Sequence, residues 1–162
     1  MKILGIDPGI ARCGWGVIEA DGSRLKVLGY GCVETNSKKE VSRRLKEIHK
    51  EITEIIAKYS PQCLSVEELF FNTNTKTAFV VGQARGVVLL AASQKNLPVF
   101  IYTPLQVKVA VTGYGRAEKN QVGSMIKTLL SLKESPKPDD TADALAVAIT
   151  HAFSGKMAKF LQ

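Results

Sequence analysis

The feature that most constrains this fold is a short apolar run near the N-terminus that ends in an acid. Residues 3–6 read Ile-Leu-Gly-Ile, and Asp7 then precedes Pro8-Gly9, a pair that stops a strand. This pattern predicts a buried β-strand with a carboxylate at its tip. Burial disfavours an ionised carboxylate unless hydrogen bonds or a cation compensate it. Two interpretations of Asp7 are open at this point: a turn in which its side chain bonds nearby amides, and a metal ligand.

Length and composition predict one globular domain with an anionic partner. The chain has 162 residues, and 22 Lys and Arg against 15 Asp and Glu give a net charge of +7. A basic balance favours nucleic acid as the partner. We expect a single domain at residues 1–155 and a C-terminal tail at 156–162. No apolar run approaches the roughly 20 residues that span a bilayer, and no signal peptide precedes the first strand, so we expect a cytoplasmic protein.

Cysteine and histidine usage bears on the compartment and on the kind of metal site. The cysteines at positions 13, 32 and 63 are widely spaced inside strand-like segments. This spacing predicts buried free thiols in a reducing compartment. Two histidines are too few to form a recognisable zinc site with them. Any bound metal should therefore have oxygen ligands.

The remaining segments are predicted from the period of their apolar residues. Alternating segments at 13–19 and 25–33, joined by Asp21-Gly22, complete three antiparallel strands with the first run. Helical spacing alternates with short apolar runs in the rest of the chain. The elements predicted there are a helix at 37–59, a strand at 63–66, a loop at 70–77, a helix at 78–95, a strand at 98–102, a helix from Pro104 to Gly113, a helix at 119–132 and a last helix that begins at 139–141.

This order of elements predicts the fold class. The Val-rich stretch between Pro104 and Gly113 is also compatible with a strand, although Thr103-Pro104 is a good helix start. We expect an α/β protein with a mixed five-stranded sheet. Three antiparallel strands are followed by parallel strands, and helices cover both faces.

Further acids occur where strands end and where the last helix begins. Glu67-Glu68 follow the fourth strand, much as Asp7 follows the first. In the last helix, Asp143 shares a face with residues three and four positions earlier, which are Asp140 and Asp139. Spacing does not choose between those two. Capping of the helix N-terminus is an alternative role for both.

If these acids converge in the folded protein, they predict a site for divalent metal ions. Clustered carboxylates repel one another unless divalent cations lie between them. Acids without histidine suit Mg²⁺ or Mn²⁺. Two such ions about 4 Å apart can activate water and stabilise the leaving oxygen of a phosphodiester. In a basic protein, an acidic metal site predicts a nuclease.

Short motifs follow one another in order along nearly the whole chain. They are Gly-Ile-Asp-Pro-Gly at 5–9, Gly-Trp-Gly at 14–16, Val-Glu-Glu-Leu-Phe at 66–70, Gly-Gln-Ala-Arg-Gly at 82–86, Gln-Val-Lys at 106–108, Ala-Glu-Lys at 117–119 and Asp-Thr-Ala-Asp-Ala-Leu-Ala at 140–146. Each motif alone is weak, but their order and spacing together are specific. The sequence resembles the RuvC family of Holliday-junction resolvases, which have the RNase H-like fold.

The resemblance assigns the acids that spacing left undecided. It implies that the metal-binding and catalytic residues are Asp7, Glu67, Asp140 and Asp143. Glu68 and Asp139 are disfavoured. Strand alternation agrees that Glu67 and Glu68 point to opposite faces, but does not say which one points inward.

The resemblance also implies DNA contacts. Lys108 and Lys119 match lysines near the scissile phosphate, and Phe70 matches an aromatic that contacts unstacked bases. Without the match, solvated lysines and a core aromatic are the plainer interpretations. Further predicted DNA contacts are Phe71, Lys76, Arg116 and Lys137. The resemblance implies that the long helix at 78–95 is used for dimerisation, with Gly82, Arg85 and Gly86 at the interface. For Arg85, a structural role is the alternative.

The activity implied by the resemblance is Mg²⁺-dependent endonucleolytic cleavage of four-way DNA junctions in recombination and repair. Two Mg²⁺ per active site, replaceable by Mn²⁺, would support paired symmetric nicks with 5′-phosphate products. A homodimer suits the approximate two-fold symmetry of the junction. The family also implies cooperation with the RuvA–RuvB branch-migration complex.

Three alternatives accompany this interpretation. A YqgF-type RNase H-like nuclease also opens with Asp-x-Gly after a strand, but the motif at 140–146 and the loop at Phe70 argue against it. An actin-like sugar kinase or ATPase needs two such domains, and this chain has room for one. A non-catalytic junction-binding protein would leave the four acids with structural roles only.

Overall fold

The computed structural model describes residues 1–68 and 75–160, with the backbone alone at 75–77 and 155–160. The strands and helices follow one another in the predicted order along these ranges. The strands are β1 (Lys2–Asp7), β2 (Arg12–Asp21), β3 (Arg24–Glu34), β4 (Cys63–Glu67) and β5 (Val99–Tyr102). The helices are α1 (Val41–Tyr59), α2 (Thr75–Gln94), α3 (Pro104–Thr112), α4 (Lys119–Leu129) and α5 (Asp139–Phe160).

The five strands form one mixed sheet in the order β3-β2-β1-β4-β5. The β1–β2 and β2–β3 pairs are antiparallel, and the β1–β4 and β4–β5 pairs are parallel. Apolar side chains of α1 and α2 pack in one core, and those of α3, α4 and α5 pack in the other. The predicted mixed five-stranded sheet with helices on both faces is confirmed.

Strand β1 separates these two cores because its side chains alternate between the faces of the sheet. Leu4 and Ile6 are fully buried among residues of α1 and α2. Ile3 lies in the core formed with α5, and Gly5 packs against α5 as well. Asp7 continues this second series. Its carboxylate therefore belongs to the α5 face of the sheet.

Helix α1 begins four residues later than the sequence pattern predicts. Asn36 accepts a hydrogen bond from the amide of Lys38 through its side chain, and from the amide of Lys39 through its carbonyl. These bonds form a turn, which competes with helix at this position. The helix then starts after Glu40 and ends at Ser60, which has a left-handed backbone.

Two other predictions in the second half of the chain have clear outcomes. The loop predicted at 70–77 is wrong at its end, because α2 already begins at Thr75. The Asn/Thr-rich composition suggested a loop, and continuation of a long helix outweighs the modest propensity penalty of Thr. The strand alternative for α3 is also wrong. Thr103 caps that helix by accepting from the amide of Gln106, whose side chain accepts from the amide of Thr103.

The cysteines are free, as predicted, but the predicted burial is wrong for Cys32. Cys13 and Cys63 are buried, and Cys32 is partly exposed. Burial raises the pKa of the Cys13 thiol to about 12 and that of Cys63 to about 11, so both thiols stay protonated at neutral pH. Helix α5 runs through Phe160, into the segment predicted as a tail, and the division into domain and tail stays a prediction. Within residues 1–68 and 75–160, no helix combines the length and the apolar character needed to cross a membrane.

Candidate active site

The parallel pairing of β1 with β4 brings Asp7 and Glu67 to the same edge of the sheet. Ile6 lies beside Val66 in the register, so the next residue of each strand is an acid. Both acids fall on the face covered by α5, because Cys63 on that face precedes Glu67 by four residues. Glu68 falls on the other side of the strand and is exposed. Alternation together with register thus separates the two glutamates.

Helix α5 lies unusually close to the sheet at two glycines. A Cβ at Gly5 would collide with the carbonyl oxygen of Ala144, and one at Gly14 would collide with that of Asp140. Gly14 is also the register partner of Asp7 across the β1–β2 pair. The missing side chains therefore let the first turns of α5 reach the end of β1. This close approach brings the acids of α5 toward Asp7.

The electrostatics of Asp7 show that the acids converge. Burial, followed by the charges of Asp143, Asp140 and Glu67, raises the pKa of Asp7 from its ordinary value of 3.8 to about 7. Lys119 acts in the opposite direction but is outweighed. Each of these acids was predicted from sequence, and the charges of all three act on the carboxylate at the end of β1. Without a further cation, Asp7 is only partly ionised at neutral pH.

Two lysines compensate part of this negative charge. Burial and the charge of Asp143 raise the pKa of Glu67, whereas Lys108 lowers it. Lys119 donates to the Asp143 Oδ2 atom at 3.2 Å and lies 3.3 Å from Asp139 Oδ2. Burial and the neighbouring acids still outweigh Lys119, so the pKa of Asp143 is raised. Both lysines therefore belong to the acidic site.

A cavity of about 240 Å³ opens beside these residues. Its charged lining consists of Glu67, Asp143, Lys108 and Lys119, and its apolar lining comes from Pro104, Val107, Val122 and Ala146. Charges of both signs thus line one space, which is bounded by β4, α3, α4 and α5. A phosphate group entering it would meet two cations next to the acids.

The predicted ligands can be compared with what a divalent metal ion requires. Within the described ranges, no three His, Cys, Asp or Glu side chains lie close enough together to hold an ion as they stand. The four predicted ligands are nevertheless all carboxylates, the donors that Mg²⁺ and Mn²⁺ prefer. The raised pKa of Asp7 shows that these acids need a positive partner to be ionised together. The residues present therefore fit such a cation.

A chain of hydrogen bonds supports the turn that follows Asp7. Arg44 is buried on α1 and donates from Nε to the Thr35 hydroxyl at 2.8 Å. That hydroxyl donates to the carbonyl of Ile10 at 2.5 Å, and the Thr35 amide bonds the carbonyl of Ala11 at 3.1 Å. The turn is thus fixed from α1. The sequence analysis did not identify Arg44. The available signal was a charged residue at a position on the apolar face of the helix.

The predicted DNA contacts have several outcomes. Lys108 and Lys119 line the cavity next to the acids. Arg116 and Lys137 are exposed, in the segments before α4 and before α5. Phe70 and Phe71 lie outside the described residues, as does the side chain of Lys76 in α2.

The predicted interface residues lie on α2. A Cβ at Gly82 or Gly86 would meet no atom of the described residues within 4 Å, so these positions are open in the isolated chain. Phe79 and Leu90 on the same helix are 70% and 51% exposed. Arg85 instead contacts its own chain, where its guanidinium donates to the main-chain carbonyl of Glu67. Sequence reasoning gave no sign of that contact.

A larger cavity, of about 580 Å³, lies on the opposite face of the sheet. Its lining comes from β2, β3 and α1, and includes Trp15 and Tyr59, whose ring centroids are 5.8 Å apart. It contains none of the predicted metal ligands. The smaller cavity beside Glu67 and Asp143 is therefore the candidate active site.

The fold and the sequence both match known proteins. The family model described as crossover junction endodeoxyribonuclease RuvC matches residues 3–151. The protein of that name from Alkaliphilus metalliredigens is 57% identical over 155 residues, which cover 96% of this chain and 94% of the relative. The structure of Thermus thermophilus RuvC superposes with a TM-score of 0.90 at 40% identity, and the match covers 98% of this chain and 97% of that one.

A second Thermus thermophilus structure shows RuvC in complex with Holliday junction substrate. It superposes with a TM-score of 0.89 at 38% identity and covers 97% of this chain and 96% of that one. The sheet and its helices are therefore those of the RNase H-like class of nucleases. The chain belongs to the crossover junction endodeoxyribonuclease RuvC family.

Proposed function

We propose that this protein resolves four-way DNA junctions by metal-dependent endonucleolytic cleavage in recombination and repair. Membership of the RuvC family supports the reaction class, and the relative from Thermus thermophilus binds a Holliday junction. The observation that carries the proposal is geometric: the β1–β4 register aligns Asp7 with Glu67, and the close approach of α5 at Gly14 brings Asp140 and Asp143 toward the same sheet edge, in agreement with the raised pKa of Asp7. Carboxylates repel one another and the phosphates of DNA, so a cation bound among them would favour both their ionisation and DNA binding.

Asp7, Glu67, Asp140 and Asp143 would hold two Mg²⁺ ions, with Mn²⁺ as a substitute. The ions would supply an activated water and neutralise charge on the leaving oxygen, which leaves 5′-phosphate and 3′-hydroxyl ends. Asp7 contributes from β1, Glu67 from β4 and the two aspartates from α5, so three elements of the fold define the site. Their relative positions depend on the sheet register and on the close approach at Gly14.

Lys108 and Lys119 would hold the phosphodiester against the acids. Both line the cavity that contains Glu67 and Asp143. Their charges attract the DNA backbone and stabilise negative charge that develops during cleavage. When substrate and metal bind, the contact of Lys119 with Asp143 can be exchanged for a contact with phosphate. Before substrate and metal bind, Lys119 would neutralise part of the charge of Asp143.

The wider DNA surface and the assembly follow from the same proposal. Phe70 and Phe71 would contact unstacked bases, and Lys76, Arg116 and Lys137 would contact phosphates. Two copies would pair through α2 around Gly82, Arg85 and Gly86, so that two sites cut strands related by the symmetry of the junction. The RuvA–RuvB branch-migration complex is the proposed partner on DNA.

Cleavage of end-labelled junction tests this proposal, with linear duplex of matched sequence as the competing substrate. We expect paired nicks in the junction only, and only with Mg²⁺ or Mn²⁺. The substitutions Asp7→Asn and Glu67→Gln should abolish nicking while junction binding persists. Glu68→Gln and Asp139→Asn are matched controls that should still cut. Equal cutting of duplex would contradict the resolvase assignment, and unchanged cutting by Asp7→Asn would contradict the metal site.

A further inference from the structure

Arg85 of α2 contacts the strand end that carries a proposed metal ligand. Its Nη1 atom donates a hydrogen bond to the main-chain carbonyl oxygen of Glu67. The two residues are 18 positions apart, so the bond joins a helix to the last residue of β4. It acts on the backbone of Glu67 and leaves the carboxylate free. The contact therefore bears on where that carboxylate points.

The surroundings of Arg85 indicate a specific contact. Burial lowers the pKa of the guanidinium, and the charge of Glu68 opposes that change. Partial burial of a guanidinium costs desolvation free energy unless hydrogen bonds or an opposite charge compensate it. The amide of Glu68 donates to the carbonyl of Tyr102 at 2.7 Å, which fixes the next peptide group from β5. The end of β4 is thus held from α2 on one side and from β5 on the other.

Arg85 also lies beside the open surface of α2. Ala84 and Val88 are fully buried against the core, while Gly82 and Gly86 face open space in the described chain. Arg85 stands at the border between these two sides of the helix. A second copy packed on the open side would fix the position of α2. The same helix would then fix the carbonyl of Glu67.

We infer that Arg85 is a positioning residue that sets the orientation of the Glu67 carboxylate by anchoring its main chain to α2. This inference rests on the proposed function, because it takes Glu67 as a metal ligand. It predicts that the metal requirement depends on Arg85, although the bond that Arg85 donates is to the main chain of Glu67. Groups that orient metal ligands typically change metal affinity or activity by about 10-fold to 100-fold when removed.

The variants Arg85→Ala, Arg85→Gln and Arg85→Lys test this inference, with Lys95→Ala as a control that removes one positive charge just past the end of α2. We expect Arg85→Ala and Arg85→Gln to raise the half-saturating Mg²⁺ concentration for junction nicking by about 10-fold or more. The increase in melting temperature that Mn²⁺ produces without DNA should shrink in parallel. Junction binding in EDTA should stay within about twofold, and Arg85→Lys should recover part of the metal affinity because its ammonium can still donate.

Three outcomes would overturn the inference. The first is a lower melting temperature with an unchanged metal requirement, which would make Arg85 merely structural. The second is recovery of the wild-type metal requirement at high protein concentration, which would assign Arg85 to dimerisation alone; sedimentation of each variant monitors this. The third is wild-type behaviour of both neutral variants. If Arg85→Ala does not fold, Arg85→Gln decides. Nicking by Glu67→Gln would instead overturn the proposed function itself.

Discussion

Gly14 lies directly opposite Asp7 across the β1–β2 pair, and its missing side chain makes room for the backbone of Asp140. Gly14 is thus the strand partner of Asp7, and its lack of a side chain allows α5, which carries Asp140 and Asp143, to approach the sheet. Close backbone approach of this kind is a recurrent reason for glycine inside a strand. The position of α5, and with it the site, depends on this glycine.

Replacing Gly14 with Ala should damage the fold and the site together. The new Cβ would collide with the carbonyl of Asp140, and backbone cannot move aside as a flexible side chain can. We expect a loss of about 1–3 kcal/mol in the free energy of unfolding and a large loss of nicking. Denaturant unfolding and a junction assay measure the two effects. Gly123→Ala is the control, since no described atom lies within 4 Å of a Cβ there, and unchanged cleavage by Gly14→Ala would contradict this account.

Asp7→Asn should stabilise the metal-free protein above neutral pH. The carboxyl has a pKa of about 7 in the folded state, against an ordinary value of 3.8. An acid whose pKa is raised on folding has no effect on stability below its ordinary pKa, and destabilises increasingly as the pH rises toward the folded value. In EDTA, the variant should therefore melt higher than the wild type at pH 8, with a smaller difference at pH 5. A variant that melts lower at pH 8 would contradict burial of an uncompensated charge.

Metal binding should weaken as the pH falls below about 7. Protons compete with metal for a carboxylate, and the pKa of Asp7 in the metal-free protein is about 7. The half-saturating Mg²⁺ concentration should rise by up to about tenfold per pH unit below that value, if one proton is released. Nicking titrations between pH 6 and pH 8 measure it, and junction binding in EDTA is the control for general pH effects. A metal requirement that does not vary over this range would be inconsistent with the site.

Gly86→Arg should separate the proposed dimer without unfolding the chain. The position faces open space in the isolated chain, so a long side chain fits there, but it would enter the interface proposed for α2. Sedimentation should show a shift toward monomer, and paired nicking should give way to single nicks. Gly123→Arg on α4 is a matched control that also lies in open space. A Gly86→Arg variant that remains dimeric would place the interface elsewhere.

The order of the elements was predictable from the sequence because their periods differ clearly. Alternation in the first three strands, helical spacing in α1 and the Thr103-Pro104 start of α3 are all local signals. The first residues of α1 and α2 were not predictable from such local signals. At α1 an Asn36 turn competes with the helix, and at α2 the helix extends into polar residues.

The acids of the site were predictable only in part. Asp7 was noticeable because an acid ends an apolar strand. Spacing alone did not separate Glu67 from Glu68; the family resemblance favoured Glu67, and the register with β1 gives the physical reason. The sequence did not predict the contacts of Arg44 with the Thr35 hydroxyl or of Arg85 with the Glu67 carbonyl, although Arg85 was noted as an interface residue. Contacts of this kind depend on tertiary placement, which residue spacing does not encode.

Anomalous diffraction from crystals soaked in Mn²⁺ tests the central claim most directly, that these carboxylates bind the catalytic metal. We predict Mn²⁺ peaks closer than about 2.5 Å to carboxylate oxygens of Asp7 and of at least one acid from α5. The same soak of Asp7→Asn crystals should leave the site weak or empty. Mn²⁺ bound elsewhere in catalytically active protein, with no peak at Asp7, would contradict the account.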